Sequence, residues 1–107
     1  METTQVSEIM KAIPDHFNPE KALGITASVQ CIFTGEQASN WVIKIENQTC
    51  EVQEGKNEKP DLTIKADAEL GADLLMGNTD PMKAYLFGKI KVSGNIGFGM
   101  KLIKLFS

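Results

Sequence analysis

The chain has 107 residues, of which 42% are hydrophobic and 23% charged, and its formal net charge is −3. We expect residues 1–107 to form a single domain, because this length is typical of one domain. A chain of this size can bury a core large enough to be stable without disulfides or a structural metal. The acidic balance argues against a nucleic-acid partner, and no apolar run reaches the ~18 residues of a membrane span.

The first two thirds of the chain change from a helical to a strand pattern. Apolar residues recur at helical spacing over residues 4–13, which predicts a short amphipathic helix, and a brief turn can follow at 19–23. Apolar and polar residues then alternate in four segments, which predicts four strands with one apolar face. The segments are 25–33, 41–46, 49–53 and 62–67. Because their connections are short, we expect a meander of antiparallel neighbours.

Two cysteines, Cys31 and Cys50, fall on the apolar face of this predicted sheet. In a meander their strands flank the strand of Trp41, so the two lie about two strand spacings, ~9.6 Å, apart. A disulfide needs Cα atoms within ~7 Å. We therefore expect two free thiols that pack as small apolar residues. The N-terminal residues are too polar for a signal peptide, so we expect a cytoplasmic protein.

The helical period returns in the last third of the chain. Residues 67–77 predict a helix with Asp67 as its cap and Gly77 at its end, and residues 80–88 predict another that begins at Asp80-Pro81. Residues 89–94 alternate again and predict a fifth strand, which can join a distant edge of the sheet in parallel. The predicted fold is α+β, with a five-stranded, mostly antiparallel sheet covered on one face by helices.

The closing helix carries more apolar surface than one packing face requires. The apolar residues of 96–106 cover roughly 220° of its circumference, whereas a helix on a sheet needs a stripe only a little over ~100° wide. Gly99 lies near the middle of this arc and adds no side chain, although glycine is unfavourable inside a helix. We interpret the helix as one wall of an internal cavity. The same pattern is explained if the helix packs between two ordinary surfaces, or if it forms half of a dimer interface.

The segments PDLTIKAD and LLMGNTDPMKAYLFGKIKVSGN, with the apolar helix that follows them, resemble the sterol carrier protein 2 domain of the SCP-2 sterol-transfer family. The resemblance covers nearly the whole chain. It implies a five-stranded sheet and a layer of helices that enclose an apolar tunnel for sterols, fatty acids or fatty acyl-CoA. The chain departs from the family at Asn47-Gln48, where a glycine turn is common, and in lacking the peroxisomal tail of the eukaryotic carriers.

Twelve residues are predicted to line this tunnel. From the sheet and the middle helices they are Phe33, Trp41, Ile43, Leu74, Leu75, Met82 and Leu86. From the last helix they are Phe98, Gly99, Met100, Leu102 and Phe106. The two methionines suit an adaptable pocket, because the thioether side chain is flexible and polarizable. For each residue taken singly, ordinary core packing is the better explanation.

The basic residues Lys89, Lys91, Lys101 and Lys104 form one predicted grouping. At the mouth of a tunnel it would attract a carboxylate, the phosphates of CoA or the headgroups of an anionic membrane. A solvated protein surface is the alternative interpretation.

Catalytic chemistry has little support in the sequence. The single histidine, His16, lies in a predicted loop between two prolines, and the carboxylates are scattered over polar faces. The glycines of GNIGFG resemble only part of a phosphate-binding motif. We expect no enzymatic activity, no metal and no cofactor. The predicted function is a noncatalytic lipid carrier, as a monomer or weak dimer. The alternatives are an accessory or catalytic domain that acts on a bound lipid-like substrate, and a dimerisation module.

Overall fold

The computed structural model describes residues 6–35, 38–75 and 80–105, without the side chains of residues 72–75, 81, 82, 85, 103 and 104. Its elements follow the predicted order along the chain. They are α1 (Val6–Ala12), 3₁₀ turns at Ile13–His16 and Pro19–Ala22, β1 (Ala27–Thr34), β2 (Ser39–Glu46), β3 (Thr49–Glu54), β4 (Leu62–Asp67), α2 (Ala68–Leu75), α3 (Pro81–Leu86), β5 (Ile90–Gly94) and α4 (Ile96–Leu105). The predicted helix end at Gly77 lies outside the described residues.

The five strands form one sheet in the order β3-β2-β1-β4-β5. Strand β1 is antiparallel to β2 and parallel to β4, whereas the β2–β3 and β4–β5 pairs are antiparallel. The sheet is therefore mostly antiparallel, as predicted. The expected four-strand meander is wrong, because β4 pairs with β1 instead of β3. A parallel fifth strand is wrong as well, since β5 runs antiparallel to β4.

The connection between β3 and β4 crosses the polar face of the sheet and explains the unexpected strand order. It lies over β1, where the Gln30 side chain is only 5% exposed. The Gln30 amide nitrogen donates to the carbonyls of Trp41 (3.0 Å) and Gly55 (3.1 Å), and its oxygen accepts from the Asn57 N–H (2.6 Å). The Ser28 hydroxyl accepts from the Asn57 amide at 2.9 Å. These bonds fasten the crossing segment to the sheet.

The β2–β3 hairpin turns at Asn47 and Gln48, the pair at which the sequence departs from the family it resembles. Both have positive φ, 51° and 61°. Positive φ at both central residues is the mark of a type I′ turn, whose twist matches that of the flanking strands. The Thr49 hydroxyl donates to the Glu46 carbonyl at 2.6 Å and reinforces the turn. A hairpin thus forms here without the glycine.

The helices pack against the apolar face of the sheet. Helix α1 contacts α2 and β3, α2 contacts β1 and β4, α3 contacts β5, and α4 contacts β4. The main core lies between these two layers, and its most deeply buried side chains are Met10, Val29, Ile45, Leu62 and Leu105. A second, smaller cluster of Ala66, Ala84 and Ile90 lies under α3. The predicted helical layer over one sheet face is thus present.

Candidate functional site

The apolar face of the sheet is organised in rows that cross the strands. One row joins Trp41, Cys31, Ile64 and Val92, one residue from each of β2, β1, β4 and β5. We call it the central row. Because neighbouring strands lie ~4.8 Å apart, the central row spans ~14 Å. It is long enough to lie along much of an extended acyl chain.

The helices cover the central row unevenly. Trp41 and Cys31 are buried, whereas Ile64 and Val92 are half-buried. Leu70 of α2 is also half-buried and packs against the small cluster under α3. The β4–β5 end of the apolar face therefore keeps accessible aliphatic surface. The sequence prediction did not include Ile64, Leu70 or Val92, because alternation shows which face a residue occupies and not how well the helices cover it.

The three sheet residues predicted to line a tunnel all lie on the apolar face and in the core. Phe33, Trp41 and Ile43 are each buried. The Phe33 ring lies directly against the backbone of Gly71 in α2, where a Cβ atom would clash with it. The Trp41 indole N–H donates to the Ser39 hydroxyl at 2.9 Å. Their burial shows where they lie, and their contact with a ligand stays a prediction.

The last helix presents two of its predicted residues to the interior. Phe98 and Leu102 are buried in the main core, but Met100 is 55% exposed and points away from it. Gly99 does not open onto empty space, since a Cβ atom there would lie 3.5 Å from a methyl carbon of Leu62. Part of the surplus apolar surface of α4 thus faces outward instead of a cavity.

The middle helices give less information on the predicted lining. Leu86 ends α3 with 73% of its side chain exposed, so it does not line an enclosed space in this structure. The side chains of Leu74, Leu75 and Met82, and all of Phe106, lie outside the described part of the chain. Their roles stay predictions.

An open cleft of about 380 Å³ lies between the segment before β1 and the first half of α4. Its lining consists of Gly24, Ile25, Thr26, Ala27, Asp61, Asn95, Gly97, Phe98 and Lys101. The Asp61 carboxylate accepts from the Ser28 N–H at 2.8 Å, and the Asn95 side chain accepts from the Phe98 N–H at 3.0 Å. These two polar groups hold β1 and α4 in place, and Lys101 supplies a positive charge to the cleft.

The lysines predicted as one grouping lie at two places. Lys101 lines the cleft near Asp61, beside the end of β5. Lys89 and Lys91 are exposed at the opposite end of that strand. There Lys91 is the register partner of Lys65 on β4, which places two like charges side by side. The side chain of Lys104 lies outside the described residues.

Both cysteines are free, as predicted, and their strands flank β2. Burial raises the pKa of the Cys31 thiol to about 12. Burial, together with the negative charge of Glu51, raises the pKa of Cys50 to about 11. Both thiols are therefore protonated at neutral pH. A protonated thiol is a weak nucleophile, so neither is prepared for covalent chemistry.

Within the described residues, no cluster of three or more His, Cys, Asp or Glu side chains could hold a metal ion. His16 is exposed at the end of a 3₁₀ turn. None of the helices in the same part of the chain is long and apolar enough to cross a membrane.

The fold is that of a small α+β domain in which a mixed five-stranded sheet and a helical layer surround an apolar interior. A family model described as the SCP-2 sterol transfer family matches residues 7–107. The chain belongs to that family.

Among curated proteins, the chain is similar to hydroxysteroid dehydrogenase-like protein 2 of Xenopus laevis, with 27% identity over 105 residues. It is also similar to sterol carrier protein 2 of Gallus gallus, with 39% identity over 72 residues. These alignments cover 97% and 66% of this chain but only 25% and 13% of the two relatives. The chain thus corresponds to a small part of each longer protein.

Among solved structures, the chain resembles palmitated SCP2L2 from Aedes aegypti, with a TM-score of 0.75 and 22% identity. The match covers 99% of this chain and 95% of the mosquito protein. At this identity the likeness establishes the shared fold. The predicted fold class is confirmed.

Proposed function

We propose that this chain is a noncatalytic lipid carrier, which binds a fatty acid, a fatty acyl-CoA or a sterol-like lipid between its sheet and its helices. The observation that carries the proposal is the SCP-2 family match over residues 7–107. The mosquito protein of the same fold was studied in its palmitated form, which supports an acyl chain as one ligand. The predicted cytoplasmic setting stays part of this proposal.

The packing of the core favours one end of the apolar face for the ligand. Near α4 the described contacts are close, because Gly99 faces Leu62, which is fully buried. Toward β5 the aliphatic side chains of Ile64, Leu70 and Val92 keep part of their surface exposed. An acyl chain that covers them gains about 0.8 kcal/mol for each methylene it buries. We therefore place the ligand along the β4–β5 end of the central row.

The carrier proposal differs from catalysis in what it asks of the protein. A carrier needs apolar surface and a route for exchange, whereas an enzyme needs a nucleophile or base held next to the reacting bond. Both thiols are protonated at neutral pH, and His16 is exposed. These observations favour binding without turnover.

A second candidate is a module that presents lipid to an enzyme. The likeness to a quarter of a hydroxysteroid dehydrogenase-like protein supports this possibility. The two candidates differ in one measurement: a presenting module accelerates turnover by a separately supplied dehydrogenase domain, and a simple carrier leaves its rate unchanged.

Lipid extraction tests the proposal. The protein is purified from cells, extracted under denaturing conditions and analysed by mass spectrometry; we expect lipid in a fixed ratio to protein. Val92→Lys puts a charge on the apolar face and should reduce this ratio severalfold, because burying an unpaired charge against an apolar ligand costs free energy. Ser93→Lys is the control, since Ser93 is the next residue of β5 and points to the opposite face. Absence of bound lipid, together with no uptake by delipidated wild type, would contradict the proposal.

A further inference from the structure

Helix α3 ends in a tight backbone turn that fixes the direction of its last residues. Gly88 has a φ of 72°, the Phe87 N–H donates to the Lys83 carbonyl at 3.0 Å, and the Lys89 N–H donates to the Ala84 carbonyl at 2.9 Å. The Lys89–Ala84 bond is the six-to-one bond of a Schellman motif, in which a glycine in the left-handed region closes the helix. The position of the residues just before Gly88 is thus set by the backbone.

Two large apolar side chains project from this turn. Leu86 is 73% exposed and Phe87 is 76% exposed. Ala84 is buried against Ala66 and Ile90, so the side of α3 that carries Ala84 faces the sheet. Leu86, two positions further along the helix, lies on the opposite side, and Phe87 follows the last residue of α3. We call the exposed pair Leu86 and Phe87 the α3 tip.

Two exposed lysines flank the α3 tip. Lys83 lies one helical turn before it on the outward side of α3, and Lys89 follows it in the turn. Lys91 and its register partner Lys65 are exposed as well, but the alternation of their strands places them on the sheet face opposite α3. Asp80 immediately precedes α3 and lies about 9 Å along the helix axis from the tip.

We propose that the α3 tip is a docking element for an anionic lipid membrane, in which Leu86 and Phe87 enter the interface and Lys83 and Lys89 contact the headgroups. An apolar pair flanked by lysines matches the layers of such a surface, where apolar chains lie beneath negative headgroups. The inference rests on the proposed lipid-carrier function. It places the exchange of cargo at the β5 edge, where the aliphatic surface of Val92 and Leu70 is partly exposed.

Vesicle flotation tests the docking. Delipidated protein is mixed with vesicles of phosphatidylcholine and phosphatidylglycerol in about a 2:1 ratio, and the bound fraction is measured. We expect the double variant Leu86→Ser with Phe87→Ser to lose about tenfold in membrane partitioning, because two apolar side chains no longer enter the interface. Lys83→Gln with Lys89→Gln should bind more weakly to these vesicles and should reduce the sensitivity of binding to salt.

Leu23→Ser is the matched control, since Leu23 is also 73% exposed but lies between the Pro19–Ala22 turn and β1. It should float like wild type. Flotation of the double variant at the wild-type level, or an equal loss in Leu23→Ser, would overturn the proposal. A concentration-dependent dimer that disappears in the double variant, with no vesicle binding by wild type, would overturn it in favour of self-association.

Separate experiments test the docking proposal and the carrier function. Equilibrium binding of palmitate in solution, without vesicles, should be equal in wild type and in the double variant. If wild type binds palmitate but does not float, the docking proposal is wrong and the carrier function stands. If wild type floats through the α3 tip but binds no palmitate and carries no lipid in the extraction experiment, the carrier function is wrong.

Discussion

Gly99 illustrates how a single contact changes the interpretation of a residue. From the sequence, the missing side chain indicated an opening onto a cavity. In the structure a Cβ atom at this position meets the Leu62 methyl carbons at 3.5 and 3.8 Å, which is ordinary van der Waals contact. A methyl group therefore fits at residue 99, and a larger side chain meets a fully buried leucine.

We predict opposite effects for two substitutions at Gly99. Gly99→Ala should raise the free energy of unfolding by up to ~1 kcal/mol, because alanine favours the helix and its methyl group has room. Gly99→Leu should lower it by about 1 to 3 kcal/mol through overpacking against Leu62. Urea unfolding of the delipidated proteins measures both. A leucine variant as stable as the alanine variant would show that the position does open onto free space.

The two thiols give a prediction about pH. At pH 8 the raised pKa of Cys50, about 11 against an ordinary 9.0, leaves about a hundredfold less thiolate than a free cysteine has. Cys31, at about 12, has less still. Alkylation by iodoacetamide, followed by mass spectrometry, should therefore be slow in the native protein and fast in denaturant. Rapid native labelling of Cys31 would contradict its burial.

The same shifts make stability depend on pH in one direction. A thiol whose pKa is higher in the folded state stabilises the fold fully below about 9, the pKa of the unfolded chain. Above that pH only the unfolded chain ionises readily, so stability should fall as pH rises toward 11 and 12. Cys31→Ala with Cys50→Ala should weaken this alkaline loss, which thermal unfolding between pH 8 and pH 11 would measure.

At the scale of elements, the segment between β3 and β4 crosses the polar face of the sheet, and Gln30 fastens it. Gln30→Met keeps the side-chain volume but leaves the Asn57 N–H and two carbonyls without their partner. A buried polar group without a partner costs about 1 to 3 kcal/mol, so we expect a loss of that size in urea unfolding. Palmitate binding should be unchanged, because Gln30 lies on the face opposite the central row.

Gln53→Met is the matched control for Gln30→Met. Gln53 is an exposed residue of β3, in the same sheet, and it should tolerate methionine with little change in stability. Equal destabilisation by the two substitutions would mean that the amide bonds of Gln30 contribute nothing specific to the fold.

The elements themselves could be predicted from the sequence, and their pairing only in part. Alternation identified all five strands and their apolar face, and caps such as Asp80-Pro81 marked helix starts. The same alternation carries no information about neighbours, so the parallel β1–β4 pair was missed. The long-range hydrogen bonds of Gln30 fasten the segment that leads from β3 to β4, but the pattern shows Gln30 only as a polar residue.

The candidate site was predictable to a similar extent. Phe98 and Leu102 were expected to face the interior and do so, and Phe33, Trp41 and Ile43 lie where alternation placed them. Met100 and Leu86 were expected to face the interior but are exposed. The prediction failed because the sequence of a helix with apolar residues on two sides does not show which side packs. The partly exposed surface of Ile64 and Val92 depends on how the helices lie across the sheet, which no local pattern contains.

For the whole molecule, the central claim is that an acyl chain binds along the apolar face toward β5. Titration of delipidated, methyl-labelled protein with palmitate tests it most directly by NMR. We expect the methyl signals of Ile64, Leu70 and Val92 to shift and saturate at one palmitate per chain, while those of Val6 in α1 and Ile13 in the turn that follows it change little. A folded protein whose Ile64 and Val92 signals stay fixed in excess palmitate would contradict it.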